Sequence, residues 1–96
     1  MTELEVDARG LRCPLPVIRL AEAARDAAAG TVIVLLSTDP AARHDIPAWC
    51  RMRDQELRAV TDVTEPEVTD GPLPQHPAYT RFVVAVRPQL PKASGA

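Results

Sequence analysis

The sequence predicts a two-layer α+β fold. Three observations lead there. Segments with strand-like and helix-like patterning alternate in the order strand, helix, strand, helix, strand, strand. Each helix-like segment carries its apolar residues on one stripe, so it needs a sheet or another helix to cover that stripe. The strand-like segments are short, and most alternate polar and apolar residues, which suits a sheet with one buried face.

The elements follow in order. Residues 3–7 (Glu3-Leu4-Glu5-Val6-Asp7) alternate and read as a short strand. Residues 8–12 hold Gly10 and read as a turn. Over residues 14–28, Val17, Leu20, Ala21, Ala24 and Ala28 fall on one helical stripe, while Arg19, Glu22, Arg25 and Asp26 fall outside it. Pro14 suits the first helical position, and Gly30 is the stop signal. Residues 31–38 form a continuous β-branched apolar run, the pattern of a strand covered on more than one side. Asp39-Pro40 offers a cap followed by proline. Because Pro47 interrupts the next helical segment, the expectation is a short turn at 40–44 and a helix from near Asp45 to about Gln55. Ile46, Trp49, Cys50 and Leu57 or the Arg53 stem would face inward. Residues 57–64 alternate, with Leu57, Ala59, Thr61 and Val63 on one face. Residues 65–78 are proline-rich and read as a loop. Residues 79–87 alternate again, with Phe82, Val84 and Val86 toward the core. Residues 1–88 therefore read as one domain and 89–96 as a disordered tail.

Composition narrows the function. The chain has 96 residues, 46% apolar and 25% charged, with a net charge of −2. A nucleic-acid binder usually carries a basic excess, so direct nucleic-acid binding is not expected. No apolar run reaches the ~20 residues that span a bilayer, and Met1-Thr2-Glu3 does not start a secretory signal. The expectation is a cytoplasmic monomer with no membrane contact. Two cysteines cannot build a disulfide scaffold. Two isolated histidines and no Cys-x-x-Cys pair give no structural zinc pattern, so no metal and no cofactor are expected.

One residue stands out for chemistry. Cys13 lies in Leu11-Arg12-Cys13-Pro14-Leu15-Pro16, between a strand and the mouth of a helix. Unpaired N–H groups at a helix N-terminus favour an anion such as a thiolate. Cationic neighbours lower a thiol pKa further, and Arg9 and Arg12 are close in sequence. Pro14 and Pro16 frame a surface turn. Cys13 is therefore the candidate nucleophile, with a stabilised thiolate expected and Arg12 as electrostatic support. Cys50 shares a helical face with Ile46 and Trp49 and reads as core. Asp39 and Asp45 each have two readings, a helix cap or a partner contact. His44 reads as a surface histidine.

Two blocks of sequence resemble a known family. Asp7-Ala8-Arg9-Gly10-Leu11-Arg12-Cys13-Pro14-Leu15-Pro16 fits the D-x-x-G-x-x-C-P-x-P signature of the TusA/SirA-like sulfur-carrier family. Asp39-Pro40-Ala41 followed by Asp45-Ile46-Pro47-Ala48-Trp49-Cys50 resembles that family's D-P-x…D-I-P-x-aromatic-C stretch. The resemblance implies a βαβαββ fold with two helices on one face of a four-stranded mixed sheet. It implies a sulfurtransferase acting as a stoichiometric carrier, in which Cys13 holds sulfane sulfur as a covalent persulfide. The implied partners are a donor protein, a cysteine desulfurase or a rhodanese-like protein, and an acceptor protein. Destinations in the family are tRNA thiolation, cofactor sulfuration and sulfur oxidation. Arg12, Pro14 and Pro16 would support the start of the active-site helix, and Asp39, Arg9, Leu15 and Asp45 would be docking positions. Three features depart from the family pattern: Leu15 where acidic residues are common, His44 where arginine is frequent, and a longer connection between the last two strands. The alternatives are a non-catalytic regulator or adaptor with the same fold, and a thiol-disulfide redox protein using Cys13 and Cys50.

Overall fold

The computed structural model describes residues 2–64 and 79–88. Among them, six elements follow one another: β1 (Glu3–Ala8), α1 (Leu15–Asp26), β2 (Val32–Ser37), α2 (Ala42–Met52), β3 (Glu56–Val63) and β4 (Tyr79–Ala85). The strands form one four-stranded sheet in the order β1-β2-β4-β3. β1 and β2 are parallel, whereas β2–β4 and β3–β4 are antiparallel, so the sheet is mixed. α1 packs on β1 and β2, α2 packs on β3 and β4, and the helices touch each other. The predicted α+β architecture and element order are what the chain adopts. No described helix is long and apolar enough to cross a membrane. The expected loop at 65–78 and tail at 89–96 lie outside the described residues.

Burial explains the sequence patterns. β2 and β4 are central, and every residue from Ile33 to Ser37 is buried. This is the strand whose apolar run does not alternate, as expected for a strand covered on both faces. β1 and β3 are edges and are mostly exposed. The core joins Leu20 of α1, Ile46 and Cys50 of α2, Ile33 and Leu35 of β2, and Phe82 and Val84 of β4. Val86 lies just past β4 but stays buried, because its N–H donates to Thr31 and its carbonyl accepts from Gly30. Gly30 takes a left-handed φ of +94° in that turn, where a side chain would be strained.

Several boundaries differ from expectation, each for a local reason. α1 begins at Leu15, with Pro14 just before it, and ends at Asp26. Ala27 turns extended, which leaves Ala28 exposed and outside the buried stripe. Residues 40–44 are not a separate turn. The N–H groups of Ala42 and Arg43 donate to the carbonyls of Asp39 and Pro40, so a tight first turn runs straight into α2. Pro47 consequently lies inside the helix rather than in its first turn. It leaves the Arg43 carbonyl without its usual helical donor, a cost the packing of Ile46 and Cys50 offsets. The far end closes early. Asp54 adopts a left-handed φ of 58°, and the Gln55 N–H reaches back to the Cys50 carbonyl at 2.8 Å. That is a Schellman closure with aspartate in the position glycine usually takes. In β3, a register irregularity between Leu57 and Ala59 breaks the alternation expected there. Ala59 and Thr61 are exposed, and of the four only Leu57 and Val63 are partly covered, as is Glu56 at the start of β3.

Candidate functional site

The parallel pairing of β1 and β2 builds the site. Ala8 pairs with Ser37, so both strands end at the same level. The loop after β1 and the loop after β2 therefore emerge side by side. Gly10 turns the first loop with a φ of +87°, and its N–H donates to the Thr38 hydroxyl at 2.9 Å. Further along, the Cys13 N–H donates to the Asp39 carboxylate. The other Asp39 oxygen accepts from the Ala41 N–H at 3.0 Å, and the Asp39 N–H donates to the Ser37 hydroxyl at 3.1 Å. One carboxylate thus starts α2 and fixes the cysteine loop at once.

Cys13 itself is exposed, and its thiol donates to Asp45 Oδ2 at 3.0 Å. Asp45 sits in the first turn of α2 and aims across at the tip of α1. This contact reverses the expected electrostatics. The hydrogen bond to Asp45 raises the Cys13 pKa above the usual thiol value, and partial desolvation and the charges of Asp45 and Asp39 push the same way. A carboxylate beside a sulfur disfavours the thiolate by like-charge repulsion. The anticipated support from Arg9 is absent because Arg9 is engaged elsewhere. Its guanidinium binds both oxygens of Asp7 at 2.9 Å and lies over the Tyr79 ring at 5.0 Å. Those hydrogen bonds, with one from the Arg9 backbone, hold the Asp7 carboxyl down to about 2. Arg12 is exposed and forms no ion pair among the described residues.

The remaining candidates divide by burial. Pro14 is exposed at the helix entrance, whereas Pro16 is fully buried and anchors the first turn in the core. Leu15 and Ile18 are 42% and 43% exposed on α1. Three residues apart, they lie together on the helix surface and form an apolar patch on α1, beginning two positions after Cys13 in the chain. His44 is exposed. Cys50 is in the core, and burial pushes its thiol up to about 11. Sequence reading missed Ser37 and Thr38 as braces of the two loops. The Ser37 bond had a local signal, since a serine hydroxyl two residues before a turn commonly bonds nearby backbone, whereas the Thr38 bond to Gly10 spans 28 positions and had none. A separate cleft of about 640 Å³ lies toward the far end of the helices, lined by Ile18, Arg25, Trp49, Arg53 and Arg87 but not by Cys13.

The sequence profile of the family described as "Sulfurtransferase TusA" matches residues 4–69, most of the chain and both site loops. The chain belongs to the TusA family. A curated relative, the sulfur carrier protein TusA of Pseudomonas putida, is 44% identical over 52 residues. That alignment covers 54% of this chain and 65% of the relative, so the match spans just under two thirds of the relative's length. The family assignment agrees with the βαβαββ order and with the cysteine at the start of α1.

Proposed function

We propose that this TusA-family protein is a sulfur carrier whose Cys13 accepts sulfane sulfur as a persulfide and passes it to an acceptor protein. The observation that carries the reading is an exposed thiol on a loop braced at two points by the loop that follows β2. Such a sulfur is built to meet another protein's sulfur. The name of the Pseudomonas relative supports the same role. Transfer is thiol exchange with balanced atoms. Cys13 Sγ, losing its proton, bonds to the outer sulfur of a donor persulfide. The donor's S–S bond breaks, and the donor sulfur leaves with the proton as a thiol. Discharge repeats the exchange with an acceptor thiolate attacking the outer sulfur on Cys13. Leu15 and Ile18 supply an apolar surface where donor and acceptor dock. The donor class is a cysteine desulfurase or a rhodanese-like protein.

The test is mass spectrometry after incubation with a cysteine desulfurase and cysteine. The protein should gain about 32 Da, one sulfur atom. Cys13→Ser should lose the adduct, and Cys50→Ala should keep it. An adduct that survives Cys13→Ser overturns the proposal. The redox alternative finds no support in the geometry, because its second thiol is in the core.

A further inference from the structure

We propose that Asp45 is a brake on the empty carrier: it holds the Cys13 sulfur as a hydrogen-bonded thiol, and its hold is released once a sulfur atom is loaded. This rests on the carrier reading above. The geometry is specific. Cys13 Sγ donates to Asp45 Oδ2 at 3.0 Å, from a first turn of α2 that Asp39 fixes in place. The groups facing the sulfur are Asp45 from α2 and Asp39 from the loop after β2, with Arg12 on the cysteine's own loop. Both groups contributed from elsewhere in the chain are acidic. Ionising the empty thiol therefore breaks a hydrogen bond and sets two negative charges side by side.

Loading changes each of these terms. In a persulfide, Sγ is bonded to sulfur and has no proton left to donate. The ionisable atom becomes the outer sulfur, about 2 Å further out along the S–S bond. Asp45 then meets a neutral, bridging Sγ, and the new charge sits at longer range and closer to water, where screening is stronger. The same carboxylate that quiets the empty sulfur bears weakly on the loaded one. An empty carrier that is a poor nucleophile avoids alkylation and oxidation between encounters, since the thiolate is the reactive form.

The test compares wild type, Asp45→Asn and Asp45→Glu, using iodoacetamide and locating the adduct on Cys13 by mass. The empty protein needs no sulfur donor, so this arm is independent of the carrier reading. Asp45→Asn should be alkylated roughly three- to tenfold faster at pH 7, with the pH midpoint of the reaction moved down. Asp45→Glu should fall between the two. A merely structural role would lower the melting temperature without moving that midpoint. The loaded form is made with inorganic polysulfide: Cys13 Sγ bonds to its sulfane sulfur, an S–S bond breaks, and the shortened polysulfide leaves with the proton. Alkylation of the outer sulfur should then differ between wild type and Asp45→Asn by less than about twofold. Equal or slower alkylation of empty Asp45→Asn overturns the brake, and an equally large effect on the loaded form overturns its release. Failure of Cys13 to take sulfur from a desulfurase counts against the carrier reading alone.

Discussion

Replacing Asp39 by alanine removes one carboxylate that two segments share. Its Oδ1 accepts from the Ala41 N–H at the start of α2, and its Oδ2 accepts from the Cys13 N–H. Losing a side-chain-to-backbone bond of the first kind, in the turn that leads into α2, costs about 1 kcal/mol. The Cys13 amide belongs to an exposed residue, so water replaces part of its bond, and that loss adds about 0.5–1 kcal/mol. Together these give about 1.5–2 kcal/mol. For a domain this small, each kcal/mol lowers the melting temperature by about 4–8 °C, so Asp39→Ala should melt about 6–16 °C below wild type. Asp39→Asn keeps one acceptor oxygen but turns an amide donor toward the other N–H, so it should fall between them. Asp39→Ser can still accept from the Ala41 N–H yet is too short to reach Cys13, so it should recover melting while leaving the cysteine loop loose. Circular dichroism melting measures the first effect, and hydrogen exchange at the Cys13 amide measures the second. If Asp39→Ala melts within about 2 °C of wild type and Cys13 amide exchange is unchanged, the shared-carboxylate account is wrong.

Two further outcomes follow from the core. Phe82, the one phenylalanine of the chain, is fully buried in β4, opposite Leu35 and Val60. Phe82→Ala should cost about 3–5 kcal/mol in urea unfolding, and Phe82→Leu far less; a loss below about 1 kcal/mol would remove Phe82 from the centre of the packing. Cys50 gives a pH signature. Its pKa is raised to about 11 in the fold, so its contribution is complete below the ordinary thiol value of 9.0 and is lost as pH climbs toward 11. Cys50→Ala should be less stable at pH 7 from lost packing, and the gap to wild type should narrow between pH 9 and 11. A gap that stays constant across that window refutes a protonated, buried thiol.

Much of the fold was legible because it rests on local pattern. The unbroken apolar run of β2 announced a central strand, and the stripe through Leu20 announced a helix with one covered face. The alternation of Phe82, Val84 and Val86 located the core side of β4. What failed to show was set by tertiary pairing or by backbone bonds. The start of α2 depended on carbonyls of Asp39 and Pro40 accepting in a tight turn, and its end on Asp54 tolerating a left-handed φ. The exposure of β3 came from its place at the sheet edge and from the irregularity after Leu57. The position of the key cysteine was readable from its motif, but its electrostatics were not.

That last gap has a physical cause with consequences for function. Sequence neighbours suggested a thiolate supported by arginines, because Arg9 and Arg12 flank the motif. In space, Arg9 is turned to Asp7 and Tyr79, while the residues that reach Cys13 come from 26 and 32 positions away. They arrive because β1 and β2 run parallel and end together. An exposed sulfur is open to small electrophiles. Its selectivity has to come from its protonation state and from the surface around it. In the proposed carrier, the acidic partner of the thiol supplies the first, and the exposed Leu15 and Ile18 supply the second. Recognition and restraint in the proposed carrier sit on different helices, α1 for docking and α2 for the proton. Changing Leu15 should therefore alter which partners bind without altering the alkylation profile of the empty thiol, whereas changing Asp45 should do the reverse.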